Sequence, residues 1–462
     1  VTPQYTHRTA FGAWINDMHN QALPNEPWPY VVIDDQIVRD CIACLDLQSQ
    51  AGFNEFDVFG LIAASAWPVD IQSAVGPERA RRVKTILEAA HERAIKVIYG
   101  LGVYSWGFDR IIEADARVRG TNPHAMCGAR AESWEWMTRV IDYILGEFEV
   151  DGFHLESSDL GRCSCPQCSG QGDVEYHCRL NARTADYIRS KWPDKILMVN
   201  MCGYTAWGSK LSAEDRGHLA ELSRHLDYLI DPGHGGLFIE EDSRREFIKS
   251  LACDYGTSGG FWIYPPQPWD RLRWFLPYPM RTGRHLKQLY EDGGRAVEYY
   301  MGPTLNPGVE VNIAFGGKLL ADVGGDLDGT LAEVLEWLYE PRDAAALRRL
   351  QSVFRLAEDA YFENWLPKPL PPREAPGELH LTALPFKNWS GTASPAYLSE
   401  LRPGWTLMDA AGRARYRSAL LSIQRDLRGL DDAVGQIERL NRIKTCVQNA
   451  LADVEAVDAV AN

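Results

Sequence analysis

Eight times within about the first 320 residues, an apolar, β-rich run is followed by a stretch patterned for a helix, and this alternation constrains the fold more than any other feature of the chain. Repeated βα units build a parallel sheet with helices against its faces. The strand-like runs are Phe11–Asp17, Phe56–Ala63, Lys96–Val103, Val150–Ser157, Lys195–Cys202, Leu226–Gly233, Gly259–Pro265 and Ala296–Gly302. Between them, Pro77–Arg93, Ser133–Phe148, Val174–Trp192 and Ala213–His225 carry apolar residues at helical spacing. Eight such units in one domain favour a closed barrel over an open doubly wound sheet. No G-x-G-x-x-G follows the first run, as a dinucleotide-binding sheet would require. The expectation is an α/β protein: a (β/α)8 TIM-type barrel with a mainly helical C-terminal extension.

At 462 residues the chain is too long for one simple core, so the barrel, placed at 1–325, needs appendages. Leu327–Asn364 reads as a helical pair and marks a post-barrel unit at 326–364. The eight prolines between Trp365 and Trp405 cannot continue helices or central strands, so 365–406 reads as a wrapping segment. In the last unit, 407–462, Leu420, Ile423, Leu427, Leu430, Val434 and Ile437 recur at alternating spacings of three and four. Such heptad spacing suits a homodimer seam or a helix packed on its own barrel; Gly429 and Gly435 argue against one unbroken helix.

Charge narrows the partners. A net charge of −15 argues against nucleic acid, because phosphate binding needs a basic footprint. No apolar run is long enough for a membrane span, and the first residues lack a signal-peptide core. A cytoplasmic protein, or one secreted after loss of a leader, is expected.

In barrels of this kind catalytic residues come from the C-terminal ends of the strands and the loops beyond. That rule points to Asp17 after the first strand, His154, Glu156 and Asp159 at the fourth, Asn200 at the fifth, Asp231 at the sixth, and Tyr299 and Tyr300 at the eighth. Trp67, Tyr104, Trp106, Tyr264 and Trp269 fall in neighbouring loops. The fourth strand is the most telling. Side chains alternate along it, so Gly152, His154 and Glu156 share one face, and ionisable groups aimed into a barrel are costly unless partnered. Aromatic faces stack on sugars while carboxylates and amides take hydroxyls, so this set suits a carbohydrate pocket. The long third loop carries Arg119, His124 and Arg130; its guanidinium groups could hold a carboxylate in spite of the acidic whole. Asn312 and Tyr299 are weaker candidates for hydroxyl binding. Cys163, Cys165 and Cys168, with His177 and Cys178 following, have a spacing that could hold a structural zinc, form a disulfide or remain plain thiols. No cofactor is required by any other feature.

Asp151-Gly152, Glu156-Ser157 and the thiol run Cys163, Cys165, Cys168, together with Cys127-Gly128 and Ser133-Trp134, resemble a group of barrel glycoside hydrolases over roughly residues 8–365. Within that group the chain looks most like glycoside hydrolase family 156, inverting exo-sialidases that use an Asp base and a His acid. The resemblance implies a sialylated glycan as substrate, with Asp17 as base. His124, at the rim, is preferred as acid over His154, which precedes Glu156 by two residues on the same strand and so lies about 6–7 Å deeper than Glu156 at a rise of roughly 3.3 Å per residue. Arg119 or Arg130 would then take the sugar carboxylate, and His154, Glu156, Asn200, Tyr299 and Asn312 would line the pocket. The alternatives are a uronidase or N-acetylhexosaminidase with Glu156 as acid, a noncatalytic glycan-binding module, or a zinc-dependent hydrolase of other bonds.

Overall fold

A computed structural model describes residues 4–12, 33–63, 66–158, 160–204, 211–231, 241–260, 274–300, 306–364, 405 and 408–461. Eight parallel strands close into a barrel in sequence order, β1 pairing with both β2 and β8. They are β1 (His7–Gly12), β2 (Glu55–Val58), β3 (Lys96–Gly102), β4 (Gly152–Glu156), β5 (Ile196–Asn200), β6 (Tyr228–Asp231), β7 (Asp254–Gly260) and β8 (Ala296–Tyr300). The barrel is as expected, but two strands lie earlier than the apolar pattern placed them. β1 begins at His7 rather than Phe11, and β7 at Asp254 rather than Gly259.

Helices form the outer layer. They are α1 (Asp35–Ala51), α2 (Pro77–Glu92), α3 (Asp109–Ala114), α4 (Ala131–Glu147), α5 (Asp173–Lys191), α6 (Ala213–Leu222), α7 (Glu241–Ser250), α8 (Pro279–Glu291) and α9 (Pro307–Ala321). In α4, Trp136, Met137, Val140, Ile141 and Ile144 are buried along one stripe, as a 3.6-residue period dictates. Burying each such side chain contributes about 1.5–3 kcal/mol, which outweighs the weak propensity of its β-branched members. Side-chain caps fix the starts: Asp34 accepts from the Ile37 amide, Ser212 from Asp215, and Asn306 from Gly308 and Val309.

Strand alternation splits the core in two. Outward residues such as Phe56, Val97, Leu101, Phe153, Leu155, Leu197, Val199, Leu229 and Val297 join the helices in the large core. Inward residues Ile98, Ile196, Met198, Tyr228, Ile230 and Ala296 form a separate plug inside the barrel. Beyond Ile98 the inward positions of β3 are Gly100 and Gly102; a Cβ on Gly100 would stand 2.3 Å from the Phe59 ring, so the missing side chain makes room for that ring.

Beyond the barrel, α10 (Leu327–Tyr339) and α11 (Ala344–Asn364) are the expected helical pair. Of the heptad-spaced residues, Leu420, Ile423 and Leu427 lie on α12 (Ala410–Arg428), Leu430 and Val434 in the connection that follows, and Ile437 at the start of α13 (Ile437–Ala461); the two helices pack on one another. Leu420, Ile423, Leu427, Leu430 and Val434 are buried within the single chain, where α12 packs chiefly on α11. The chain itself thus covers this seam except at Ile437, which is 42% exposed. Among the described residues no helix is long and apolar enough to cross a membrane.

Candidate active site

Above the apolar plug the barrel interior turns polar. Asp57 of β2, His154 of β4, Asn200 of β5, Ser258 of β7 and Glu298 of β8 are all buried and all lie in the inward phase of their strands. His154 Nδ1 stands 2.6 Å from Asp57 Oδ2 and 3.6 Å from Glu298 Oε1. Asn200 Nδ2 donates to Glu298 Oε2 at 2.5 Å, and the Ser258 hydroxyl donates to the same oxygen at 3.3 Å. Phe59 meets the His154 ring edge-on at 4.9 Å between centroids, and Phe11 lies 6.0 Å away, so the imidazole is walled by apolar rings.

Burial of this trio forces protons onto it. For His154, burial alone would favour the neutral ring, but the Asp57 charge and hydrogen bond, then the charges of Glu298 and Glu156, raise its pKa to about 9. For Glu298, burial dominates and raises the carboxyl to about 8; the imidazolium pulls it down and the Asp57 carboxylate pushes it up. Asp57 is also raised, first by burial, with His154 opposing. Near neutral pH the layer therefore holds an imidazolium at His154 and a largely protonated carboxyl at Glu298. His154 Nε2 has no hydrogen-bond partner among the described residues, so it can donate to a bound oxygen. The three groups are close enough to be metal donors, but the 2.6 Å contact is that of a hydrogen bond holding a proton.

Two residues further along β4, Glu156 is buried at the strand's C-terminal end, its Oε1 accepting from the amide and the hydroxyl of Ser158. His124 is 65% exposed on the β3–α4 loop, with Nδ1 3.6 Å from Asp109 Oδ1. Its loop folds against the strand end through the Met126 amide, which donates to the Tyr104 carbonyl. Arg130 is exposed at the start of α4. Arg119 sends Nε to the Ile112 carbonyl and its terminal nitrogen to the Glu113 carbonyl, so its guanidinium closes the end of α3. Asp17 lies outside the described residues.

Two expected pocket residues make other contacts, Tyr299 by its strand phase and Asn312 by its place on a helix. Tyr299 points outward: its hydroxyl donates to the Asn312 carbonyl at 2.6 Å and its ring meets Phe53. Asn312 is buried on α9, where its Oδ1 accepts from the Tyr278 amide. Both join β8 to the helical layer instead of lining the barrel. The acid that β8 turns inward is Glu298, absent from the sequence candidates, as were Asp57 and Ser258. The available signal was an acid in the inward phase of an otherwise apolar strand.

The thiols converge differently from the proposed spacing. Cys127, Cys163, Cys165 and Cys168 bring their sulfurs within 4.8 Å of one another. Cys178 is not in that group; it is buried on α5, and neighbouring His177 is tied to the Ser157 hydroxyl at 3.0 Å.

Neither a protein-family model nor a curated protein matches the sequence. Solved structures do match in fold. A GH138 enzyme targeting pectin rhamnogalacturonan II aligns with a TM-score of 0.62 at 10% identity, over 99% of this chain and 73% of its own. An O-GlcNAc hydrolase mutant of Thermobaculum terrenum aligns with a TM-score of 0.55 at 10% identity, over 98% of this chain and 83% of its own. CpGH84B aligns at 0.52 and 9% identity, over 100% of this chain and 70% of its own. At such low identity these likenesses establish the shared barrel fold.

Proposed function

We infer that the chain is a glycoside hydrolase acting on a terminal sugar that carries a carboxylate, most specifically an inverting enzyme that releases sialic acid. The observation that carries this reading is the buried layer of Asp57, His154, Asn200 and Glu298 beneath the C-terminal mouth of a closed barrel. A packed core gains nothing from three ionisable groups, whereas a pocket floor gains oriented donors for sugar oxygens. The fold is shared with barrel enzymes that act on glycans, which raises the prior but does not choose the substrate.

In this mechanism Asp17 takes a proton from a water that attacks the anomeric carbon, and His124 protonates the departing oxygen in the same displacement. Rim exposure suits His124, because the leaving group departs toward solvent and the spent imidazole must regain a proton there. Arg130, exposed and without an ion pair among the described residues, is assigned to the sugar carboxylate, since Arg119 is engaged with helix carbonyls. His154, Glu156 and Asn200 take hydroxyl or amide groups of the sugar.

A second reading rests on Glu156, which occupies the inward phase at the very end of β4 and could itself be the acid of a uronidase or hexosaminidase. Three variants separate the two. Asp17→Asn and His124→Ala should each lose about 10²–10⁴-fold in kcat on a poor leaving group while remaining folded. A nitrophenyl leaving group, which needs little protonation, should restore much of the His124→Ala rate and none of the Asp17→Asn rate. Near-normal turnover by His124→Ala with an inactive Glu156→Gln would install the second reading.

A further inference from the structure

We propose that Cys127, Cys163, Cys165 and Cys168 together bind one zinc ion, which clamps the β3–α4 loop to the β4–α5 loop at the barrel mouth. The proposal does not depend on the glycosidase reading. Four thiolates at about 2.3 Å from a tetrahedral zinc stand about 3.8 Å from one another. Cys127 Sγ lies 3.7 Å from Cys165 Sγ and 3.8 Å from Cys168 Sγ, and all four sulfurs fall within 4.8 Å. A disulfide would require a pair at about 2.05 Å, and all four are free thiols.

The surroundings are shaped for charged sulfur. The Cys165 amide points at Cys163 Sγ at 3.4 Å, and the Thr121 hydroxyl donates to the same sulfur at 3.7 Å. Between Cys165 and Cys168 the chain makes a tight turn, the amides of Cys168 and Ser169 both donating to the Cys165 carbonyl at 2.8 Å. That turn aims both thiols of the C-x-x-C pair at one point. A Cβ on Gly120 would stand 2.3 Å from Cys163 Sγ, so the third loop's backbone is packed directly against the sulfur. An all-sulfur tetrahedral set selects a soft or borderline ion, and a span this small fits a single ion.

All four positions are filled by protein, so the ion is structural and has no site for water or substrate. Its effect is on geometry. Cys127 is three residues from His124 in the same loop, while the other three ligands belong to the loop that follows Glu156. Apart from the thiols, the described residues join these loops by the Asn122 side chain on the Leu160 carbonyl and by Thr121, whose hydroxyl pairs with that of Ser164 and accepts from the Ser164 amide, among other contacts. A bound zinc would thus set how far the exposed histidine stands from the end of β4.

The test is elemental analysis of the full chain purified without chelator. One zinc per chain is expected, with at least a tenfold loss of occupancy in Cys127→Ser and full occupancy in Cys178→Ser. Should Cys127→Ser fail to fold, cobalt loading of the wild-type chain supplies the readout: intense visible bands with thiolate charge transfer mark a tetrahedral tetrathiolate site. Absence of metal, iron in place of zinc, a disulfide to Cys127 on mass mapping, or zinc lost from Cys178→Ser but kept by Cys127→Ser would each overturn the proposal.

Discussion

Replacing Asp57 with Asn should remove the part of the barrel's alkaline pH dependence that His154 carries. His154 is fully buried, and its rise from 6.5 to about 9 corresponds to a preference for the charged ring of about 3 kcal/mol. Asp57, 2.6 Å away, is the chief source of that preference against the cost of burial. A raised folded-state pKa gives stability that is complete below the unfolded value and disappears as pH climbs through the folded one. For His154 the loss falls between pH 6.5 and about 9, and for Glu298, raised from 4.5 to about 8, it falls between those values. Both slopes have the same sign, so the native protein should weaken steadily above neutrality. Asp57→Asn keeps the shape but not the charge, and burial then leaves His154 neutral. Urea denaturation should show the variant about 3 kcal/mol less stable at pH 6.5, near the low end for breaking a buried pair, with the deficit shrinking toward pH 9. An equal deficit at both pH values would refute the argument.

Two further predictions follow from where side chains point. Tyr299→Phe removes the hydrogen bond to the Asn312 carbonyl and leaves that acceptor buried, so it should cost about 1–3 kcal/mol while kcat and KM stay within twofold; a large KM rise would return Tyr299 to the pocket. Leu427→Ala, which empties a fully buried position between α12 and its neighbours, should cost about 2–5 kcal/mol in thermal or chemical unfolding without altering the mass seen by light scattering. A change of mass would show that the seam also serves a second copy.

The barrel was legible in the sequence because most of its strands carry the uninterrupted apolar run of a sheet buried on both sides. Two strands are not written that way. β1 places His7 and Thr9 inward, where they bond to Glu55 at the closed end, so its apolar signal starts late. β7 is rich in glycine and hydroxyl residues; Gly256 lies so close to the Ala296 carbonyl that a Cβ would stand 2.1 Å from it, and such a strand has little hydrophobic pattern to read. Glu156 and Asn200 were found because they end strands, and His154 because it shares a strand face with Glu156. Glu298 and Asp57 sit mid-strand, where only the phase of alternation distinguishes pocket from helix layer, and at β8 the aromatic Tyr299 drew attention from its inward neighbour. Cys127 was hidden by separation along the chain: it reaches Cys165 and Cys168 only because two successive loops open on the same end of the barrel.

The central claim is that this barrel cleaves a glycosidic bond by single displacement. Its most direct test is proton NMR of the sugar first released from an aryl α-sialoside, run beside an aryl β-glucuronide and an aryl β-N-acetylhexosaminide. The account predicts cleavage of the sialoside, with the first free sugar in the configuration opposite to that of the substrate and mutarotation only afterwards. Release with configuration retained, or no cleavage of any of the three by folded protein, would contradict it.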